Sequence, residues 1–362
     1  MSGAPGTTAG SVTSAGPGAP MRVAMYYANR DVRLESLPRP AIGPGEMLLR
    51  VVASGICGSD LMEWYRRDRV PVVLGHEVTG EVAAVGEGVT GFAAGDRVVA
   101  THHVPCNTCH HCRRGDHTVC ATLRRTHFHP GGFAEYLRLE PIHVDRGVFR
   151  LPAEVSFEDG TFVEPLACVV RGLRRARLQP ADTVLVIGSG IAGLLHIQAA
   201  AALGAGRVIA VDLVEKRLAL ARRLGAEHAI SAREDVPARV RALNEGRLAD
   251  IVIVCAGAAV AVEQGLSAVE RGGTVLLFAP TEQGARVPVS INDFFFRNDV
   301  TLTTSYAGSP ADLVQALELI RARRVRVGEM ITHRLGLAAT GEGFALVLDG
   351  RESVKVIIEP QR

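Results

Sequence analysis

The sequence has no surplus of charge of either sign and no apolar run long enough to cross a membrane. Its 40 lysine and arginine residues stand against 38 aspartate and glutamate residues, which leaves a formal net charge of +2. Nothing therefore indicates a general affinity for nucleic acid or for an anionic membrane surface. No apolar run reaches the roughly 18 residues that a membrane-spanning helix needs. With 362 residues, 47% hydrophobic and 22% charged, the chain has an ordinary globular composition and is long enough for two domains.

Residues 1–20 contain no charged residue and, apart from Met1, no large side chain. Such a segment cannot bury enough apolar surface to offset the entropy lost on ordering it. It also lacks the basic and apolar regions of a secretory signal peptide. We therefore predict a disordered tail at residues 1–20 and a folded part that begins at about Met21.

Four of the seven cysteines fall in one short run, at Cys106, Cys109, Cys112 and Cys120. Four thiolates at this spacing can close a tetrahedron around Zn²⁺, which leaves no coordination position for a substrate. Such a site stabilises a loop and takes no part in chemistry. Disulfide bonds are the alternative, but nothing in the sequence indicates an oxidising compartment. Free cysteines and thiolate zinc sites suit a reducing cytoplasm, where we expect the protein to reside.

A second zinc ion would need ligands elsewhere, and three separate fragments offer them. These are Gly-Ile-Cys57-Gly-Ser59-Asp, Gly-His76-Glu77 and Val-Glu164-Pro-Leu. One thiolate, one imidazole and one or two carboxylates form a mixed ligand set that can leave a position open for water or an alcohol. Each fragment alone is a weak signal, because a single histidine or cysteine is more often structural. Their order and their combination give the prediction its strength.

The segment 183–193 reads Thr-Val-Leu-Val-Ile-Gly-Ser-Gly-Ile-Ala-Gly, an apolar strand followed by the pattern Gly-x-Gly-x-x-Gly. Gly188 would allow the tight turn, Gly190 the approach of a pyrophosphate, and Gly193 the close packing of helix on strand. The helix that follows would offer free N–H groups to the phosphates. A second apolar run ends at Asp212, where an acid can bind the ribose. We predict a dinucleotide site; the alternative is a βαβ unit with tight turns and no ligand.

The pattern of apolar residues changes twice along the chain. From Met21 to about Pro165 it consists of short alternating strands separated by glycine and proline, which is typical of an all-β module. From about Leu166 to Tyr306 apolar runs at 183–187, 207–211, 251–254 and 274–278 alternate with helices, as in a parallel sheet. One helix at 311–323 and a closing strand at 354–358 follow.

Together, in this order, these motifs resemble those of the zinc-containing medium-chain alcohol dehydrogenases, most closely the polyol (sorbitol-like) and threonine dehydrogenase branch. The resemblance implies an α/β fold, in which a Rossmann domain with a doubly wound parallel sheet accompanies a GroES-like β-barrel catalytic domain. It divides the chain into the tail at 1–20, a catalytic domain at 21–165 and 307–362, and an NAD-binding Rossmann domain at 166–306. The catalytic domain includes a structural zinc lobe at about 102–121.

The resemblance also implies two zinc ions and one NAD per chain, with sites as follows. The expected ligands of the catalytic zinc are Cys57, His76, Glu77 and Glu164, and those of the structural zinc are the four clustered cysteines. Glu77 is either a direct ligand or a carboxylate that orients the ligands, and Glu164 is either a ligand or a partner of the bound water. Ser59 would hydrogen-bond the substrate hydroxyl and so joins Cys57, His76 and Glu77 as a catalytic residue. The expected cofactor contacts are Gly188, Gly190, Ile191, Gly193, Asp212 and Arg217.

The expected reaction is hydride transfer from a secondary alcohol to NAD, which gives a ketone. The partner would be a small-molecule alcohol, either a polyol, a sugar alcohol or a cyclitol, with no nucleic acid or membrane involved. A homodimer or homotetramer is expected. One alternative is dehydrogenation of an amino alcohol such as L-threonine or of a phosphorylated polyol. Another is a non-catalytic protein that binds NAD as a structural or sensor ligand.

Two features depart from the family or add to it. In many relatives a histidine three places after the serine carries the proton onward, whereas this chain has Met62, which cannot relay a proton. Three alternatives remain: ordered water with the cofactor ribose serves as the relay, Glu63 or Tyr65 replaces the histidine, or the reaction is slow at low pH. Histidines are also dense after residue 101, and His127 and His129 could line the pocket or belong to a surface loop. The adjacent Arg124 and Arg125 could bind a phosphate or carboxylate, although a solvated basic loop is the simpler interpretation.

Overall fold

The computed structural model describes residues 18–362. All but the last three residues of the predicted tail therefore lie outside the described part of the chain. The first strand begins at Pro20, close to the predicted start of the folded part. No helix among residues 18–362 combines the length and apolar character that a membrane span requires.

Ten strands form two sheets in which nearly all neighbours are antiparallel. They are β1 (Pro20–Ala28), β2 (Asp31–Pro38), β3 (Met47–Gly55), β4 (Val72–Val73), β5 (Glu77–Val85), β6 (Arg97–Ala100), β7 (Tyr136–Leu139), β8 (Val148–Arg150), β15 (Ile331–Gly336) and β16 (Lys355–Glu359). The smaller sheet has the order β2-β1-β4, and the larger has β15-β16-β3-β5-β6-β8, with β7 also on β3. Alternate residues of β3, β5 and β7, such as Leu49, Val78 and Leu137, point into a shared core, as the alternating sequence pattern predicts.

The remaining six strands form one sheet in which all neighbours are parallel. They are β9 (Thr183–Ile187), β10 (Arg207–Asp212), β11 (His228–Ser231), β12 (Ala249–Val254), β13 (Val269–Leu277) and β14 (Thr301–Thr304). Their order is β11-β10-β9-β12-β13-β14, so the chain winds first to one side of β9 and then to the other, as in dinucleotide-binding folds. All five residues of β9 are buried, because helices cover both faces of the sheet.

Twelve α-helices and several short helical turns complete the described fold. The α-helices are α1 (Glu63–Arg66), α2 (His110–Arg113), α3 (Pro141–Arg146), α4 (Phe157–Gly160), α5 (Val163–Arg175), α6 (Ile191–Ala202), α7 (Glu215–Arg223), α8 (Val236–Leu243), α9 (Ala259–Ser267), α10 (Ile291–Phe294), α11 (Pro310–Arg321) and α12 (Thr340–Asp349). Helix α5 packs against both α6 and α11. Its buried residues, including Leu166 and Val170, belong to the same core as β9. This helix therefore joins the parallel sheet to the strands that precede it.

The end of the chain returns to the first sheet. Strand β16 pairs antiparallel with β3, so that Ile357 lies opposite Gly55. The parallel sheet is thus inserted between two parts of the β-rich lobe, and the predicted α/β fold class with a Rossmann sheet and a barrel-like module is confirmed. The domain boundaries at residues 165 and 307 stay a prediction.

Candidate active site

Three potential metal ligands meet where β3 and β5 pair. Cys57 follows the end of β3, and Glu77 begins β5 directly after His76. Because the two strands are antiparallel with Gly55 opposite Glu77, the end of one lies beside the start of the other. The donor atoms of Cys57, His76 and Glu77 all lie within 4.8 Å of one another. We call this group the three-donor site; its sulfur, nitrogen and oxygen donors are those that Zn²⁺ takes in proteins.

The buried carboxylate of Asp60 holds the three-donor site in place. It accepts a hydrogen bond from the Cys57 backbone N–H at 3.1 Å, and its Oδ1 lies 3.3 Å from His76 Nδ1. Burial lowers the pKa of His76, but the Asp60 carboxylate and Cys57 outweigh burial, and the pKa lies well above its usual value. A carboxylate at one ring nitrogen orients the other toward a metal ion. Asp60 is absent from the predicted site residues, although its place in the Cys57 motif was a usable signal.

Glu77 forms an ion pair with Lys355 in the protein interior. The two side chains are 1% and 0% exposed, and Lys355 Nζ contacts Oε2 of Glu77 while also donating to the Ile56 carbonyl at 3.2 Å. A Cβ at Gly55 would lie 2.0 Å from the same Oε2, so only glycine leaves room for this carboxylate. Lys355 was not predicted as a site residue, because it lies 278 positions from Glu77 and outside every motif.

Glu164 lies on the first turn of α5, beside the three-donor site but outside the group within 4.8 Å. Burial raises its pKa to about 7; the Glu77 charge also raises it, whereas the positive charges of His76 and Lys355 lower it. The Cys168 thiol, one helical turn later, lies 3.7 Å from Glu164 Oε1. Whether Glu164 is a ligand or a partner of bound water stays a prediction.

Ser59 lies in a single helical turn at Gly58–Leu61, with its Oγ 3.5 Å from Cys57 Sγ. Of the alternatives to a relay histidine, Glu63 is already engaged, since its Oε1 accepts the Asn29 backbone N–H at 2.9 Å. Tyr65 is 40% exposed and faces the Arg66 guanidinium. Neither side chain forms a hydrogen bond with Ser59. Neither Glu63 nor Tyr65 is therefore placed to relay a proton from Ser59 as a histidine at position 62 would.

Imidazole rings form a continuous cluster that extends away from His76. The ring of His102 lies 4.9 Å from that of His76 and 3.7 Å from that of His103. His127 lies 6.3 Å from His102, whereas the predicted pocket candidate His129 forms a backbone bridge with Arg138 outside this cluster. His102 and His103 are absent from the predicted pocket residues, and their position before the cysteine run gave no clear signal.

His103 also joins the two lobes of the structure. Its Nε2 lies 3.0 Å from the hydroxyl of Tyr306, which follows the parallel strand β14. Burial, then the charges of His76 and His127, lowers the pKa of His103 to about 3. The ring is therefore neutral at physiological pH, and the contact is a hydrogen bond between neutral groups.

The four clustered cysteines bring their sulfur atoms together around α2. Cys106 and Cys109 meet Cys120 and Cys112 at 3.6 Å each, all four lie within 4.8 Å of one another, and none forms a disulfide. Hydrogen bonds from Thr108 and Cys109 lower the pKa of Cys106 to about 5, which favours the thiolate that a metal ion requires. Four thiols at these distances fit a closed zinc site.

The glycine-rich turn after β9 has the geometry of a phosphate cradle. Gly188 has φ +95°, and a Cβ at Gly193 would lie 1.8 Å from the Gly188 carbonyl oxygen. Position 193 must therefore be glycine if α6 is to approach β9 so closely. Gly190 is the N-cap of α6, and Ile191 begins the helix, so its first N–H groups are free to bind an anion.

Asp212 lies at the end of β10, with a 7% exposed side chain. Its two oxygens accept backbone N–H groups from Ser189 at 2.7 Å and Val214 at 2.8 Å. Arg217 lies 3.9 Å from Asp212 and donates to the carbonyl of Gly350, at the end of α12. The acid is thereby fixed beside the glycine turn, and the guanidinium is drawn partly away from it.

Comparison with known proteins adds to this geometry. Residues 43–152 match the model of the alcohol dehydrogenase GroES-like domain, and residues 192–322 match that of the zinc-binding dehydrogenases. Sorbitol dehydrogenase of Bacillus subtilis is 31% identical over 94% of this chain and 98% of its own length. D-altritol 5-dehydrogenase of Agrobacterium fabrum is 36% identical over 84% and 89%. A zinc-binding dehydrogenase from Sinorhizobium meliloti, solved with bound NADP, has a TM-score of 0.84 at 28% identity, covering 94% and 100%.

Proposed function

Because this chain belongs to the zinc-binding alcohol dehydrogenase family, we propose that it oxidises a secondary alcohol of a polyol, sugar alcohol or cyclitol to a ketone with NAD. The observation that carries the proposal is the three-donor site, which combines a thiol, an imidazole and a carboxylate within 4.8 Å. The similarity to sorbitol and D-altritol dehydrogenases supports a polyol as the substrate.

In this mechanism Cys57, His76 and Glu77 would hold a zinc ion, which would supply Lewis acidity, and a bound nicotinamide would supply the hydride acceptor. Asp60 keeps the His76 ring in its binding orientation. Ser59 accepts the proton of the substrate hydroxyl through its Oγ. Met62 cannot take that proton onward, so solvent water would carry it away from Ser59, with the ribose of a bound cofactor as the alternative acceptor.

The cofactor preference rests on Asp212. Its carboxylate would accept hydrogen bonds from the adenosine ribose diol and repel a 2′-phosphate. Arg217 works against this preference, since a guanidinium favours phosphate, but its bond to Gly350 holds it partly away from the ribose position. NAD is therefore the proposed cofactor, even though one structural relative was solved with NADP.

We also propose an oligomeric state and a cellular location for the protein. Ile291, Phe296 and Leu302 expose 65%, 66% and 40% of their area, close to the sheet edge at β14, which supports a homodimer or homotetramer. The free cysteines of the described chain and the four-thiol cluster support a cytoplasmic location. Light scattering of the purified protein measures the assembly directly.

The function is tested by a screen of polyols, amino alcohols and cyclitols with NAD, followed as NADH absorbance. Oxidation of at least one polyol in preference to L-threonine is expected. Oxidation of L-threonine alone would favour the amino-alcohol alternative, and NAD binding without any turnover would favour a sensor protein.

The zinc content of cysteine variants provides a structural control for the same screen. Cys57→Ser should abolish turnover and leave the fold and one zinc ion per chain, since the four-thiol site stays intact. Cys109→Ser should instead destabilise the structural zinc lobe at about 102–121, because structural thiolate sites bind zinc with roughly 10–16 kcal/mol. Full turnover by Cys57→Ser would show that the three-donor site is not the catalytic one.

A further inference from the structure

We propose that Arg66 is a positioning residue of the active site, which holds the turn that carries Ser59 and supplies a permanent counter-charge to Asp60. The inference rests on the proposed function, because it concerns how Ser59 is placed to accept the substrate proton. Arg66 is the last residue of α1, and its side chain is 15% exposed. It belongs to none of the metal-ligand or glycine motifs.

The helical turn at Gly58–Leu61 has few anchors of its own. Asp60 is the one residue of this turn that is buried. The Asp60 N–H donates to the Cys57 carbonyl at 3.0 Å, and the Met62 N–H donates to the Ser59 carbonyl at 3.3 Å. A single 3₁₀ turn has poorer hydrogen-bond geometry than an α-helix. Contacts from outside the turn therefore contribute much to how firmly Ser59 is held.

Arg66 makes two such contacts with one nitrogen atom. Its Nη2 donates to the Ser59 carbonyl at 3.3 Å and lies 3.7 Å from Asp60 Oδ1. The Arg66 backbone is fixed as well, since its N–H donates to the Met62 carbonyl at 3.2 Å. The guanidinium also lies over the Tyr65 ring, 5.0 Å from its centre. The arginine is thus held where it reaches back seven residues to the turn.

The contact with Asp60 matters because this carboxylate is 0% exposed. A buried carboxylate needs a positive partner. His76 lies 3.3 Å away, but the imidazole of a metal-ligating histidine is neutral, so it cannot supply that charge in the metal-bound protein. The guanidinium of Arg66 is always charged. Lys355 has the same relation to Glu77, so that Asp60 and Glu77 each have a cation of their own.

An alternative is that Arg66 packs on the Tyr65 ring and leaves the turn unaffected. Arg69 also lies over this ring, at 4.8 Å, so a cation–π contact with Tyr65 is not particular to Arg66. The contacts with Ser59 and Asp60 are particular to it, since Arg69, which the structure also describes, forms no hydrogen bond or ion pair with either residue. Kinetics and stability together distinguish the two explanations.

The kinetic test compares Arg66→Met and Arg66→Lys with the wild type, using a polyol and NAD, after metal analysis has confirmed two zinc ions per chain. Arg66→Met should lower kcat by roughly tenfold to hundredfold and change KM by less than about threefold, as expected when a reacting group is misplaced by about 1 Å. Arg66→Lys keeps a charged donor and should remain at least about threefold more active than Arg66→Met. Arg67→Met is the matched control, because this neighbouring arginine is exposed, and it should behave as the wild type.

Thermal unfolding of protein depleted of the catalytic metal tests the link to Asp60 without any turnover. Arg66→Met should lower Tm by roughly 5 °C or more, because a buried carboxylate loses a positive partner. In the Asp60→Asn background the same substitution should cost less than about half as much.

Three results would each overturn the inference and leave the proposed function intact. They are an unchanged kcat in Arg66→Met, equal kcat in Arg66→Met and Arg66→Lys, and equal Tm losses with and without the Asp60 carboxylate. If the wild type oxidises no alcohol, the proposed function fails, and the role of Arg66 in placing Ser59 fails with it.

Discussion

Replacing Lys355 by methionine tests how Glu77 is used. The substitution keeps an unbranched chain and removes the charge that faces a carboxylate with 1% exposure. Removing one partner of a buried ion pair costs about 3–5 kcal/mol, because the other charge is left uncompensated. If Glu77 is a zinc ligand, the metal ion supplies the missing positive charge. The loss should then be large in protein depleted of the catalytic metal and small in protein that holds both zinc ions.

Thermal unfolding measures this difference. With about 2 °C per kcal/mol for a chain of this size, the variant with one zinc ion should lose roughly 6–10 °C relative to the wild type in the same state. The variant with two zinc ions should lose much less. Lys216→Met is the control, since this other lysine pairs with Glu352 at the surface, at 73% and 65% exposure, and surface pairs contribute only about 0–1 kcal/mol.

A second variant separates lost charge from lost packing. In Glu77→Gln/Lys355→Met both charges are gone, so most of the stability of the metal-depleted protein should return. The reasoning is refuted if Lys355→Met loses the same stability with and without the second zinc ion. That result would assign Glu77 to orienting the ligands and not to binding the metal.

Three further outcomes are expected. Asp60→Asn should weaken zinc at the three-donor site by roughly 10–100-fold while leaving the four-thiol site loaded, as measured by competition with a chelator. Asp212→Ala should raise kcat/KM with NADP relative to NAD, and an unchanged ratio would show that Asp212 does not read the ribose. Burial lowers the pKa of His196 to about 4. As the pH falls, the unfolded chain therefore binds a proton at this histidine before the folded protein does. Between pH 7 and 5 this should cost about 2 kcal/mol of stability. His196→Phe should reduce that loss in denaturant titrations, and an unchanged loss would contradict its assignment to His196.

The strands of the parallel sheet could be predicted where burial on both faces makes them continuously apolar. The expected run at 183–187 coincides with β9, and the runs at 207–211 and 251–254 fall within β10 and β12. Strands β11 and β14 were not predicted. They are short and lie at the two sheet edges, and β14 is mostly exposed, so their sequences carry no strong apolar pattern.

The candidate site likewise contains some residues that sequence motifs indicate and others that they do not. Local motifs predict that Cys57, Ser59, His76 and Glu77 act together, and the pairing of β3 with β5 brings these two short fragments beside each other. Lys355 and Tyr306 could not be found, since each reaches the site through a long-range contact that no local pattern encodes. A single sequence shows spacing along the chain, whereas the Lys355 contact depends on the return of β16 to β3 and the Tyr306 contact on how the two lobes meet.

The return of β16 to β3 has a consequence for synthesis of the protein. Glu77 receives its counter-charge from a residue made 278 positions later. At 5–20 residues per second, translation needs roughly 14–56 s to cover that interval. The parallel sheet is contiguous in sequence and can fold during this time. Until β16 is made, the Glu77 carboxylate lacks its ion-pair partner, and β3 lacks the strand that pairs with it at Gly55. The sheet that carries the three-donor site therefore cannot be completed until the whole parallel sheet has been synthesised.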